Sequence, residues 1–253
     1  MRSFYLTLPS RGGTDNTTSS FTVELPYEID LSGEWEVGVV EVLYPTTWHN
    51  IYERNNLVQI CYGGNNMIGP ECWDGQKMNF ANFYIEPDYY DKPEAIINQI
   101  NYFVTQFFKK DLAPFVVDRR GYVNWHPTND ATVKIHKDVA DILGLENVIF
   151  AYDESKGKLQ PNHNIQNLYV YTDLIEPQIV GSARADLLCI IPAGERNLKA
   201  AHFSPSHIHY LPLVRNNFTH VQIHIRDVAG EQIAFASGHS VVKLHFKPVD
   251  ANQ

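Results

Sequence analysis

Over most of this chain apolar and polar positions alternate with a period of two, the pattern of strands half-buried in a sheet. Phe21, Val23 and Leu25 share one face of the stretch 21–25. Across 34–44, Trp35, Val37 and Val39 take one face while Glu34, Glu36, Gly38 and Val40 take the other. Near the end, His220, Gln222, His224 and Arg226 oppose Val221, Ile223 and Ile225. Further strands are predicted at 3–8, 57–61, 80–85, 115–118, 122–125, 132–135, 168–172, 187–191 and 241–246, bounded by Pro, Gly and Asn punctuation. Val228 to Glu231 reads as a hairpin turn into a strand over 232–235.

A helical period occurs in two places. Ile96, Ile100, Phe103 and Phe107 recur at spacings of four, three and four. Asp91-Lys92-Pro93-Glu94 precedes them and fits a capping box, with an Asp91 oxygen accepting an early N–H, Pro93 in the first turn and Glu94 reaching back. Lys109 and Lys110 follow at the negative end of the dipole. A second, short helix is predicted over 137–143, with Gly144 as its C-cap. Strands do not alternate regularly with helices, which disfavours a parallel α/β sheet. No repeat or linker divides the chain. The expectation is an all-β protein: one domain over 1–253, an antiparallel sandwich of single jelly-roll type with loop insertions, one or two short helices and an insertion-rich middle at about 60–165.

Composition narrows the function. Hydrophobic residues make up 44% of the 253 positions and charged residues 19%, enough for a full core. The net charge of -9 argues against direct nucleic-acid binding and against an anionic membrane surface. The adjacent basic pairs, Lys109-Lys110 and Arg119-Arg120, have Asp111 and Asp118 beside them. Cys61, Cys72 and Cys189 are an odd set with no C-x-x-C, which favours a reducing compartment over a disulfide framework and leaves a Cys61–Cys72 bridge as a minor alternative. The opening residues are too short and polar an apolar stretch for a signal peptide, and no apolar run approaches the ~18 residues of a membrane helix.

The chemistry-bearing residues form no complete set. His207-x-His209 has a metal-ligand spacing known from cupin-like jelly rolls, with His202, His220, His224, His239 and His245 near in sequence and Glu231 as a candidate carboxylate. Solvated strand and loop histidines explain the same pattern, and no H-E-x-x-H completes a ligand set. There is no G-x-S-x-G elbow, and Gly12-Gly13 and Gly63-Gly64 lack the Lys and helix of a phosphate loop. Tyr84, Tyr89 and Tyr90 have no basic track beside them and read as core or interface residues. The reading is a non-enzyme with no cofactor and no metal, whose aromatic surface suits protein–protein contact.

Three stretches carry a resemblance. The first is Phe4-Tyr5-Leu6-Thr7-Leu8-Pro9-Ser10, then Phe21-Thr22-Val23-Glu24-Leu25-Pro26 and Leu31-Ser32-Gly33-Glu34-Trp35-Glu36-Val37-Gly38. The second runs from Tyr169 through Tyr171-Thr172-Asp173-Leu174-Ile175-Glu176-Pro177-Gln178 to Gly181. The third is His209-Tyr210-Leu211-Pro212-Leu213 with Ile223 to Asp227, Phe235-Ala236-Ser237-Gly238 and Val241 to Phe246. Together they resemble the penton, or minor capsid, protein of Polinton (Maverick) elements and adintoviruses. The resemblance implies a single jelly roll forming homopentamers at the fivefold vertices of an icosahedral capsid. It also implies a double-jelly-roll major capsid protein as neighbour, a virion location after assembly in the host cytoplasm or nucleus, and no catalytic residues. A copy domesticated by a host genome would keep the same fold. On that reading the candidate contact elements are the 63–75 loop with Trp73 and the loop 171–181 with Tyr171, Asp173, Glu176 and Pro177. The rivals are a cupin-like His-rich metalloprotein and another jelly-roll capsid or spike protein.

Overall fold

Three strands open the chain in this computed structural model: β1 (Phe4–Pro9), β2 (Ser20–Asp30) and β3 (Trp35–Pro45). The middle adds β4 (Leu57–Tyr62), β5 (Asn79–Tyr84), α1 (Pro93–Phe108), β6 (Phe115–Val117), β7 (Tyr122–Trp125), β8 (Thr132–Ile135), α2 (Lys137–Leu143), β9 (Ile149–Phe150) and β10 (Ser155–Lys158). The last third holds β11 (Asn167–Thr172), β12 (Gln178–Val180), β13 (Ala183–Ala185), β14 (Leu187–Pro192), β15 (Ala200–Phe203), β16 (Leu211–Pro212), β17 (Asn217–Arg226) and β18 (Val241–Pro248). The structure describes residues 2–13, 15–62, 79–126, 132–150, 154–161, 165–193 and 200–249.

The pairings nest. β1 pairs with β18, β2 with β17, β3 with β15, and β11 with β14, all antiparallel. One sheet has the order β1-β18-β3-β15, with β16 also on β3, and the other the order β14-β11-β17-β2. First with last, second with second-last, and so inward, is the pairing of a long hairpin rolled over itself: a jelly roll. The alternating pattern makes this work physically, because each strand has one apolar face to bury. In β18, Val242, Leu244 and Phe246 are buried while Lys243, His245 and Lys247 are partly exposed. Phe246 stacks on Phe4 at 4.8 Å and lies 5.9 Å from Phe218 of the other sheet, so aromatic rings join the two sheets.

Two compact units result: Met1–Trp48 with Ile165–Gln253, and His49–Asn164. The jelly roll is the first. The second is inserted between β3 and β11. It has sheets of order β5-β4-β8-β9 and β10-β7-β6 and a core of its own, including Ile60, Ile100, Phe115, Trp125 and Phe150. Phe115, Trp125 and Phe150 form an aromatic triangle with centroid separations of 4.8 to 5.6 Å. Gly144, at φ 68, ends α2, and a Cβ there would meet the Lys158 carbonyl oxygen at 2.2 Å, so the helix end closes on β10 only with glycine.

Several local expectations change. The capping box at Asp91 and Glu94 is not formed: the N-cap is Lys92, with no side-chain cap bond, and Pro93 starts the helix. The buried stripe of α1 is Pro93, Ile96, Ile97, Ile100 and Val104, and Phe103 and Phe107 stay at its margin, Phe103 stacked on Phe83 at 5.0 Å. The strand expected over 232–235 is absent. The Asp227 carboxylate accepts from the N–H groups of Ala229 and Glu231 in a tight turn, and after one bridge from Arg226 to Gln232 the chain leaves the sheet.

Candidate assembly surface

Alternation on β11 buries Leu168, Val170 and Thr172 and turns Tyr169 and Tyr171 to the outer face of the second sheet. There Tyr169 stands beside Arg226 and Tyr171 beside His224 on β17. The Arg226 guanidinium lies 5.8 Å from the Tyr171 ring centroid. Partial burial raises the Tyr171 hydroxyl above its ordinary range. Burial, and then the Arg226 charge, lower His224, whose Nδ1 is 3.0 Å from Ser20 Oγ. Ile190 of β14, opposite Tyr169, is 48% exposed. This band of stiff aromatic, apolar and cationic side chains has the character of contact surface.

Beyond β11 the chain crosses to the first sheet. The Asp173 carboxylate accepts from the Gln222 backbone N–H at 2.8 Å and pairs with the Arg215 guanidinium. Leu174 and Ile175 are buried, Ile175 bridges Leu213, and the Glu176 N–H donates to the Pro212 carbonyl at 3.1 Å. Glu176 and Pro177 are exposed. The β12–β13 hairpin follows, with Ile179 84% exposed. Of the five candidate contact residues, Tyr171, Glu176 and Pro177 thus have solvent-facing surface, Asp173 fastens the crossing, and Trp73 lies outside the described residues.

A groove lies at the edge formed by β14, β15 and β16. β15 pairs with β3 at Val42–Pro45 and β16 at Glu36 and Val37, and on this edge no described strand pairs with Gly38 to Glu41 between them. Instead, residues 204–210 run across as a strap. Ser204 Oγ donates to the Val40 carbonyl at 3.0 Å. Ile208 packs over Gly38, where a Cβ would come within 2.3 Å of Ile208 Cγ2 and 2.6 Å of the His209 carbonyl oxygen. Tyr210 Oη lies 2.7 Å from His245 Nδ1, the Tyr5 ring stacks on His245 at 4.5 Å, and Lys247 sits 4.1 Å from the Tyr210 ring centroid. The groove encloses about 420 Å³ and is walled by Val39, Leu187, Ile190, Phe203 and Leu211, with His207 and His209 lining it from the strap. Cys189 also lines it, and burial pushes its thiol up to about 12, which leaves it protonated and unreactive at neutral pH.

His207 and His209 are therefore not on one strand face as expected of a cupin-like pair. They sit in the strap, both exposed. His202 contacts Glu41 at 3.3 Å, and Glu231 lies in the turn after β17. Among the described residues no group of three His, Cys, Asp or Glu side chains could hold a metal ion. No described helix is long and apolar enough to cross a membrane. Tyr90 is a core residue, whereas Tyr84 is 59% exposed.

The chain has the fold of the mavirus penton protein. The likeness to that crystal structure has a TM-score of 0.51 and spans 98% of this chain and all of the other, at 11% sequence identity. At such identity it is a likeness of fold. No family model and no curated protein matches the sequence.

The groove, the exposed Ile179 and the edge of β2 were not found by sequence reasoning. The second strand was expected to end at Leu25, but β2 continues to Asp30 and carries Tyr27, 70% exposed. The signal was Pro26 inside a strand-like run, which marks an edge or a bulge.

Proposed function

We propose that this chain is a structural protein of a virion shell. It would be a penton, or minor capsid, subunit of a Polinton-like element, five copies of which close a ring at each fivefold vertex beside a double-jelly-roll major capsid protein. The nested order of eight strands, with its whole-length likeness in fold to a penton protein, carries this reading. The inserted unit, 49–164, is part of the same chain. Function then rests on fit between surfaces and uses no cofactor and no reaction.

A ring uses a heterologous interface, in which one flank of each subunit meets the opposite flank of the next. Five subunits at -9 each carry -45, so their repulsion opposes closure and added salt eases it. Burial of aromatic and apolar surface must outweigh that repulsion. The test is the mass in solution across a salt series, followed by co-expression with the neighbouring capsid gene and imaging. Five-subunit particles and closed shells are expected. A trimer would favour another capsid or spike role, and stoichiometric bound iron, zinc or manganese would overturn the structural role.

A further inference from the structure

We propose that the Pro26-Tyr27 bulge of one copy seats in the groove between β14 and β3 of the next copy, joining opposite edges of the jelly roll head to tail. This rests on the ring reading and adds to it the contacts that close the ring.

The knob is built by register. The β2–β17 pairing passes from Ile29 opposite Phe218 to Glu24 opposite His220, so residues 25–28 stand against Thr219 alone. Four residues opposite one must bulge from the sheet edge. Pro26 has no N–H, so no further strand can pair there, and the bulge presents Tyr27 with 70% of its surface exposed. The socket is the groove of about 420 Å³, near the small end of binding pockets, with room for one or two side chains.

Position and chemistry agree. The order β14-β11-β17-β2 puts knob and socket at opposite edges of one sheet. A contact between opposite edges is heterologous, and its repeated rotation makes a ring. The socket walls are apolar, its rim carries His207, His209 and Gln178, and among the described residues no carboxylate lines it. Arg184 is exposed on the β12–β13 hairpin, whose Gln178 reaches the groove. The knob is an aromatic ring between two exposed acids, Glu24 and Glu28. Tyr is well suited to such an anchor, since it brings a large rigid area and a polar tip.

The experiment places a photoreactive p-benzoylphenylalanine at position 27 of the full chain, mixes isotope-labelled and unlabelled protein at ring-forming salt, and irradiates. Crosslinks between labelled and unlabelled copies, from residue 27 to 187–190 or 203–211, are expected. In parallel, Tyr27→Arg and Leu187→Arg should each weaken self-association at least ~tenfold by sedimentation. Tyr27→Arg should leave the unfolding midpoint of the single subunit unchanged, because the side chain is exposed. If rings form but residue 27 crosslinks elsewhere, or Tyr27→Arg associates like the parent, this contact is wrong and the ring stands. If the unmodified chain forms no ring at any salt, both are wrong.

Discussion

The jelly roll and the inserted unit solve the same problem with opposite kinds of contact. The outer pairings of the jelly roll join distant residues, as where Phe4 meets Phe246 and Phe21 meets Ile223, and only β11–β14 and the β12–β13 hairpin are closer in sequence. In the inserted unit β6 pairs with β7 and β8 with β9, so most strands meet a sequence neighbour. Loop-closure entropy must be met before a distant pairing gains anything, so the jelly roll forms only when its chain ends come together, whereas the insert can form locally. The difference teaches that the sheet pair of the jelly roll and its insertion are separate packing problems, each with its own aromatic centre.

Two truncations test this most strongly. Phe246→Ala and Trp125→Ala should each cost about 3–5 kcal/mol, the range for deleting a large buried aromatic. Followed by hydrogen exchange, Phe246→Ala should lower protection in β1, β3 and β18, and Trp125→Ala in β6, β7 and β10. Equal loss everywhere from either variant would show one cooperative structure and dissolve the contrast.

The same contrast governs what could be read in the sequence. Strands with a period of two, such as 241–246 and 34–44 as far as Val39, were legible because burial of one face demands that pattern, whereas the bulge at Val40 that shifts the buried face to Val42 and Tyr44 leaves no such mark. So was α2, whose C-cap glycine is at positive φ. β10 was not, because Ser-Lys-Gly-Lys is polar and is held by pairing to β7, with Lys156 4.5 Å from the Tyr122 ring centroid. The strap 204–210 has no period at all. Its place follows from Gly38, which lies on β3 at the far end of the sequence. Nested pairing as such leaves no local mark, since it is set by distant partners. Among the candidate contacts, Tyr171 was legible as an outward residue by alternation, while the knob at Tyr27 was not, because the alternation of 21–25 breaks at Pro26.

Paired glycine substitutions sharpen the comparison at smaller cost. Gly144→Ala combines a φ of 68 with a 2.2 Å approach to the Lys158 carbonyl, a backbone atom that cannot step aside, and should destabilise the inserted unit by roughly 2–3 kcal/mol. Gly38→Ala meets the Ile208 side chain and the His209 carbonyl of the strap, and should cost about 1–3 kcal/mol. Limited proteolysis should then show cleavage near 204–210 before any in the sheets. A strap that stays protected would mean that the sheet, and not the strap, yields.

Asp173→Ala should come next, at about 1–2 kcal/mol by chemical denaturation. It removes the acceptor of the Gln222 N–H and the partner of Arg215, and both are partly solvated already. The loss should be the same in dilute subunits as in assembled material, since the carboxylate works inside its own subunit. A loss seen only on assembly would return Asp173 to the interface.

The smallest effect is a pH dependence confined to the jelly roll. Burial, and then the Lys247 charge, lower His245 from its ordinary value of 6.5, and burial with Arg226 lowers His224. The unfolded chain therefore takes up protons at a higher pH than the folded one. Stability is fully present above about pH 6.5 and declines as pH falls through that value, levelling off below the folded pKa values. For His245 the geometry explains the direction. Tyr5 covers one side of the imidazole, Lys247 opposes a second positive charge, and the Tyr210 hydroxyl, at 2.7 Å from Nδ1, is best placed to donate to a neutral ring. The facing acids, Glu36 and Glu41, are engaged by Lys247 and Lys243. Denaturation midpoints at pH 7.5 and 5.5 should differ less in His245→Gln than in the parent, with the strap losing protection first at low pH. If His245→Gln keeps the full pH dependence, the titration responsible lies elsewhere, with His224 as the first place to look and the inserted unit the next.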